Sequence, residues 1–311
     1  MLASLQTIRP LLACPRCRGK LSGPMDAMQC VDPACGLSFP AVGRWPVLVD
    51  FERSILSRDL VLATGARTLA PRVGGLLRRL RNLLFDTTPT DAPRMLRLRE
   101  LLARDPHPTI LTVGGGTVGP MLQPFYDEPG VQMIGFDIYA SPATQLVADA
   151  HHIPLEPGSV DAVIIVAVLE HVLDPGAVVA EIHRVLKPQG AVYAETPFLQ
   201  HVHEGPYDFT RFTASGHRYL FREFEEVLSG LSGGPGTQLV WSLESFVRAV
   251  TRSRLLGRIT RLLFHWLRFA DALVPERHSI DGASAFWFLG TKSEVAVAPK
   301  EMVAYYRGAQ R

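Results

Sequence analysis

The chain has 311 residues, 47% of them hydrophobic and 20% charged, which excludes a disordered polypeptide. Its net charge of +2 is too balanced for bulk electrostatics to mark a nucleic-acid binder, so nucleic acid is not an expected partner. No basic, apolar leader opens the sequence and no run of about 18 apolar residues occurs, which predicts a cytoplasmic protein without a membrane-spanning helix.

The first chemistry in chain order is sulfur. Cys14, Cys17, Cys30 and Cys35 are all the cysteines present, spaced C-x2-C-x12-C-x4-C. A two-residue gap lets two thiolates from one tight turn reach the same ion, and a distal pair then closes a tetrahedron around Zn²⁺. A redox role for Cys14 and Cys17 lacks the strand–helix context such pairs need. The surrounding text, "LLACPRCRGKL" and then "CGLSFPAVGRWPVLVD" with Phe39-Pro40, resembles the Trm112-like zinc-ribbon family over residues 11–50. That resemblance implies a small β module supporting a methyltransferase, in trans or as a fused domain. The expected organisation is a ribbon over 1–52, a helical linker over 53–107, an α/β domain over 108–294 and a tail over 295–311.

Two amphipathic basic segments follow. Within 74–85, Leu76, Leu77, Leu80, Leu83 and Leu84 share a face that Arg78, Arg79 and Arg81 avoid. Within 252–274 the stripe is Leu255, Ile259, Leu262, Leu263, Trp266 and Leu267, with Arg254, Arg258, Arg261 and Arg268 on other faces. Such helices either pack on the domain or lie on an anionic membrane or a lipid-linked substrate. Both readings are open at this point, the second making the cytoplasmic protein membrane-associated.

From residue 108 apolar runs alternate with helical stretches, the pattern of a parallel α/β sheet. Strands are expected at 109–114, 131–138, 144–150, 160–169 and 191–197, with a helix over 174–190. Strands at 237–242 and 284–292 are expected to form a late hairpin around the second basic segment. The first strand runs into "GGGTVG", where Gly114, Gly116 and Gly119 satisfy the dinucleotide pattern G-x-G-x-x-G. Asp137, 21 residues after Gly116, suits any cofactor whose ribose hydroxyls want a carboxylate.

The later text separates the cofactors. "VADAHHIP", "VDAVIIVAVLEHV" and "RVLKPQG" together resemble the class I S-adenosylmethionine-dependent methyltransferases, those grouped as type 11, over about 108–230. The resemblance implies a Rossmann-like seven-stranded methyltransferase sheet with helical insertions, and S-adenosylmethionine as methyl donor. Carried over by position, Gly114 and Gly116 lie under the methionine moiety and Asp137 accepts from the ribose. Ile138 lies against the adenine, Asp149 accepts from its amine beside the Ala150 backbone, and Leu169, Glu170 and His171 line the cofactor at the end of the fourth strand. Thr112 stands where the family has an acid, and Val118 where it has a third glycine, so Thr112 is expected to meet the cofactor as a neutral partner.

After the fifth strand, "TPFLQHVHEGPYDFTRFT" holds His203, Asp208 and Arg211 among aromatic residues, again resembling type 11 members. His203 is the candidate general base for a hydroxyl acceptor, Asp208 its orienting group and Arg211 a holder of an anionic substrate group. An Asp208–Arg211 ion pair that only locks the loop is the alternative. The expected activity is methyl transfer to a small-molecule, glycan or lipid-linked acceptor, O-methylation being favoured. The rivals are an RNA or protein methyltransferase docking through the ribbon, and a non-catalytic scaffold with a degenerate cofactor site.

Overall fold

A computed structural model describes residues 1–64 and 91–310. The basic stretch 74–85 lies outside the described residues. The chain divides into two compact units, the first of residues 1–164 and 180–192, the second of residues 165–179 and 193–311.

The first unit opens with a meander of four short strands: β1 (Leu21–Ser22), β2 (Ala27–Cys30), β3 (Ser38–Val42) and β4 (Trp45–Leu48). Each pairs antiparallel with the next. Next come β5 (Thr109–Val113), β6 (Gln132–Asp137), β7 (Leu146–Ala148), β8 (Val160–Val166) and β9 (Leu186–Pro197), whose first half belongs here. The spatial order is β1-β2-β3-β4-β7-β6-β5-β8-β9. The cysteine-bearing meander therefore continues the α/β sheet: β4 pairs parallel with β7, setting Val47 opposite Val147 and Leu48 opposite Ala148. Val47, Val49, Ala140 and Val147 form one buried cluster around this seam. Trp45 reinforces it by donating Nε1–H to the carbonyls of Ser141 and Thr144, each at 2.9 Å.

β5, β6 and β8 are almost continuously apolar and buried, as strands covered on both faces must be. In the β5–β6 register Thr112 faces Gly135. A Cβ at Gly135 would lie 2.8 Å from the Ala143 carbonyl and 3.0 Å from the Thr112 hydroxyl, so a glycine is required there. The helix expected over 174–190 is α-helical only over Pro175–Val185. It starts where Asp174 accepts from the Ala177 N–H and stops because Leu186 already opens β9, where Pro188 has no N–H to continue a helix.

In the second unit the end of β9 is followed in the sheet by β11 (Ala285–Lys292) and then β10 (Phe224–Gly233). β10 and β11 are antiparallel, with register shifts at Glu226/Leu228 and Leu231/Gly233. Among the described residues the strand count differs from the seven that the resemblance implied: eleven strands are present, four of them in the meander. The partner of β11 differs from the expected one. Residues 237–242 lie inside a helix, Pro235–Thr251, and the strand that pairs is Phe224–Gly233. Asp271, far along the chain, decides this: its carboxylate accepts from the N–H groups of Gly234, Gly236 and Thr237, capping the helix whose first residue is Pro235.

The second basic segment forms a helix at Arg254–Leu263, capped by the Ser253 hydroxyl. Gly257 lets it close on Pro235–Thr251, since a Cβ there would lie 3.2 Å from both the Glu244 carbonyl and Arg248 Cβ. Among the described residues nothing covers its apolar stripe. Leu255, Ile259, Leu262, Leu263 and Trp266 stay exposed, together with Phe246 and Val250 of the preceding helix. No helix among the described residues is long and apolar enough to cross a membrane.

Candidate active site and metal centre

The four cysteine sulfurs converge. One Sγ from each lies within 4.8 Å of all the others, with Cys17 to Cys30 at 3.3 Å and Cys14 to Cys35 at 3.7 Å. None is in a disulfide. Four thiolates about 2.3 Å from one Zn²⁺ are about 3.8 Å apart, so the cluster fits a structural zinc. The turns are shaped for it. Gly19 N–H points at Cys17 Sγ, 3.4 Å away, and Gly36 takes φ +60° just after Cys35. Around this knuckle Arg16 binds Asp50 and Glu52, and Arg18 binds Glu181, which also accepts from Arg184 and from the Ile153 N–H.

The glycine loop after β5 is held from β6. Gly114 adopts φ +71°, a conformation that favours glycine. Asp137 Oδ2 accepts from the Gly116 N–H at 2.8 Å and Oδ1 from the Ile138 N–H at 2.7 Å. Burial pushes this carboxyl up to about 6 despite those hydrogen bonds. A Cβ on Gly116 would lie 2.3 Å from the Tyr139 hydroxyl and 2.6 Å from Asp137 Oδ2. Ser141 donates to the Gly116 carbonyl, 2.5 Å away. Sequence patterns singled out neither Tyr139 nor Ser141; both lie in the turn after Asp137, which no motif covers. Ile138 is 46% exposed, an apolar surface beside a carboxylate, as a nucleoside site requires. Gly116→Ala is expected to abolish cofactor binding by calorimetry, because the methyl displaces both Tyr139 and Asp137.

Asp149 caps the short turn Ala150–His152 and also receives the Ser54 hydroxyl. Its carboxyl is buried, yet hydrogen bonds from His151 and Ser54 hold it below the usual range. Ala150 is buried beside it. Thr112 requires a correction. It is 1% exposed and its hydroxyl donates to the Ile134 carbonyl at 3.1 Å, so it has no surface to offer a cofactor and supports the loop from beneath.

The second unit gathers the remaining candidates. Leu169 is fully buried, which corrects its expected role as a cofactor contact to one of core packing. Glu170 and His171 follow it in the same turn, and the loop after β9 brings His203, Asp208 and Arg211 to them. The Phe209 N–H, 2.8 Å from the Glu170 carbonyl, ties loop to turn. The Nε2 atoms of His171 and His203 are 3.1 Å apart. Burial raises the Glu170 carboxyl to about 7 and lowers the His171 imidazole. Arg211 also departs from expectation. Its five N–H groups go to both Asp208 oxygens and to the carbonyls of Gln200, His201 and Thr210, leaving none for an anionic substrate. Those bonds hold the Asp208 carboxyl at about 2, and Asp208 in turn accepts from the His203 backbone N–H. The pair locks the loop that carries His203.

Residues 111–194 match the family model described as "Methyltransferase domain". Residues 111–194 thus carry a methyltransferase domain. No curated protein matches it by sequence. Solved structures similar to it include a SAM-dependent methyltransferase from Archaeoglobus fulgidus, 16% identical, covering 69% of this chain and 99% of that one at TM-score 0.41. Another is a complex of the Haloferax volcanii Trm112 methyltransferase activator with a methyltransferase (19% identity, 67% and 95% coverage, TM-score 0.41). A third is the [4+2]-cyclase SpnF (16% identity, 65% and 81% coverage, TM-score 0.42). Likenesses at this level carry nothing about substrate.

S-adenosylmethionine, when bound, supplies an electrophilic methyl group. The glycine loop with Asp137 and Ile138 fits a nucleoside: backbone that side chains would obstruct, a carboxylate for hydroxyls and an apolar face for a ring.

Proposed function

We propose that this methyltransferase acts on an oxygen of a small-molecule, glycan or lipid-linked acceptor. The imidazole cluster after β9 carries this reading. An oxygen acceptor loses a proton as it gains the methyl group, and in this reading His203 Nε2 takes it. Nδ1 of that ring lies 3.4 Å from the His201 carbonyl and 3.4 Å from Asp208 Oδ2, so it carries its own proton and leaves Nε2 as the acceptor. Asp208 and Arg211 act as positioning residues through the loop. In this scheme Gly114 and Gly116 admit the methionine backbone, Asp137 accepts the ribose hydroxyls, Ile138 flanks the adenine and Asp149 with Ala150 bounds its amine edge. His203→Ala is expected to lower kcat about 100- to 10,000-fold while leaving donor affinity unchanged. Unchanged turnover would remove His203 as base.

The exposed stripe on Arg254–Leu263 favours the lipid-linked member of this set. Leu255 and Leu263 are about two-thirds exposed, and Arg254 and Arg258 are exposed beside them, the arrangement of a helix lying in an anionic lipid surface. Flotation with phosphatidylglycerol vesicles is expected to carry the protein, and Leu255→Glu with Leu263→Glu to abolish it; no flotation of the unmodified chain returns the stripe to packing against a protein.

A further inference from the structure

Nδ1 of His171 lies 2.6 Å from the Tyr207 carbonyl, which can only accept, so this ring also carries its proton at Nδ1. The two Nε2 atoms, 3.1 Å apart, are therefore lone pairs facing each other. Glu170 adds a third donor. Its Oε1 is 3.6 Å from His171 Nε2 and 3.9 Å from His203 Nε2. The Glu170 side chain is 1% exposed, and neither oxygen has a hydrogen-bond partner on another residue. Three potential ligand atoms thus converge on one point, an arrangement that suits a cation.

We propose that Glu170, His171 and His203 bind a divalent transition-metal ion through Oε1 and the two Nε2 atoms. Imidazole nitrogen and carboxylate oxygen lie about 2.0–2.2 Å from such ions, so neighbouring ligands are about 3.0 Å apart at right angles and about 3.4 Å in a tetrahedron. The nitrogens already satisfy this, and the glutamate closes by under 1 Å. Two imidazoles and one carboxylate suit a first-row transition ion rather than Ca²⁺ or Mg²⁺, and three protein ligands leave coordination positions open. A supporting layer is present: the Tyr207 carbonyl fixes one ring, and the His201 carbonyl with the Arg211-locked Asp208 fixes the other.

What the open positions hold rests on the oxygen-acceptor reading. The ion binds the acceptor hydroxyl there and makes its proton easier to lose, which passes to solvent. Without the ion, His203 Nε2 takes that proton itself. Binding of the ion does not depend on either role.

The test uses full-length protein holding a single equivalent of zinc, which the four thiolates retain, titrated with Mn²⁺, the free ion being followed by electron paramagnetic resonance. Mn²⁺ is a poor partner for thiolates, so the cysteine cluster does not take it up. One equivalent is expected to bind. His203→Ala and Glu170→Gln are each expected to weaken binding at least tenfold, and Asp208→Asn about 10- to 100-fold through the supporting layer. His201→Ala, whose side chain is not a ligand, is expected to leave binding unchanged. His203 is on an exposed loop, so its variant keeps the parent melting temperature. No Mn²⁺ uptake, or equal affinity in His203→Ala, overturns the metal site. Analysis of the methylated product by mass spectrometry independently tests the oxygen-acceptor reading.

Discussion

Asp137→Ala is expected to weaken S-adenosylmethionine binding by about a hundredfold or more. Two hydrogen bonds from ribose hydroxyls to a carboxylate contribute about 1.5 kcal/mol each at the low end, and together that is over two orders of magnitude in Kd. The same carboxylate also holds the Gly116 N–H, so its loss loosens the loop the donor must sit on. The pH dependence sharpens this. Burial raises this carboxyl to about 6, so donor affinity falls as pH drops through 6, by about tenfold per pH unit once the acid form dominates. Fold stability moves the other way. The group's folded value lies above its unfolded one near 3.9, so its contribution is complete below pH 3.9 and is lost as pH rises through 6. Calorimetric titrations between pH 5 and 7.5 read the first effect, and a pH-independent Kd would take Asp137 out of the donor site.

Stripping the ion from the cysteine cluster is expected to unfold more than the ribbon. Structural zinc sites in small domains carry about 10–16 kcal/mol of apparent binding free energy, comparable with the whole stability of a typical domain. Here the knuckle is wired into the α/β strands. The Ala13 N–H donates to the Pro154 carbonyl, the Glu156 N–H to the Leu11 carbonyl, and Arg18 reaches Glu181. Cys17→Ser is therefore expected to reduce zinc from one equivalent to well below one and to lower Tm by more than 10 °C. Elemental analysis and scanning calorimetry read the two effects. A variant that loses zinc and keeps its Tm would show that sheet pairing alone holds the ribbon.

Sequence patterns reached far where the chemistry is local. The cysteine spacing foretold a cluster that does converge, and the apolar run 160–166 reads as a buried strand because both of its faces are covered. They failed where the partner is remote. Residues 237–242 carry strand-like letters, yet Asp271 caps them into a helix, and no local window contains both. The strand that pairs with β11 has two adjacent glutamates and two glycines in its ten residues, which blurs any alternation. In the candidate site the residue types were legible but not their side-chain commitments. Thr112 and Leu169 point into the core, and Arg211 spends every donor on its own loop. Ser54 and Tyr139 reach Asp149 and Gly116 from segments without a motif.

The β4–β7 seam has a consequence for assembly. Its register joins only two residue pairs, with one indole adding two hydrogen bonds. Between separate polypeptides this seam, with the Ala13, Glu156 and Arg18 contacts, would have to repay the entropy of association. Within one chain it forms at a millimolar effective concentration set by the tether, so a weak docking contact is saturated from synthesis onward. Cleaving between the ribbon and β5 would convert the fold into a concentration-dependent pair, with a dissociation constant that reports directly how much the covalent link contributes.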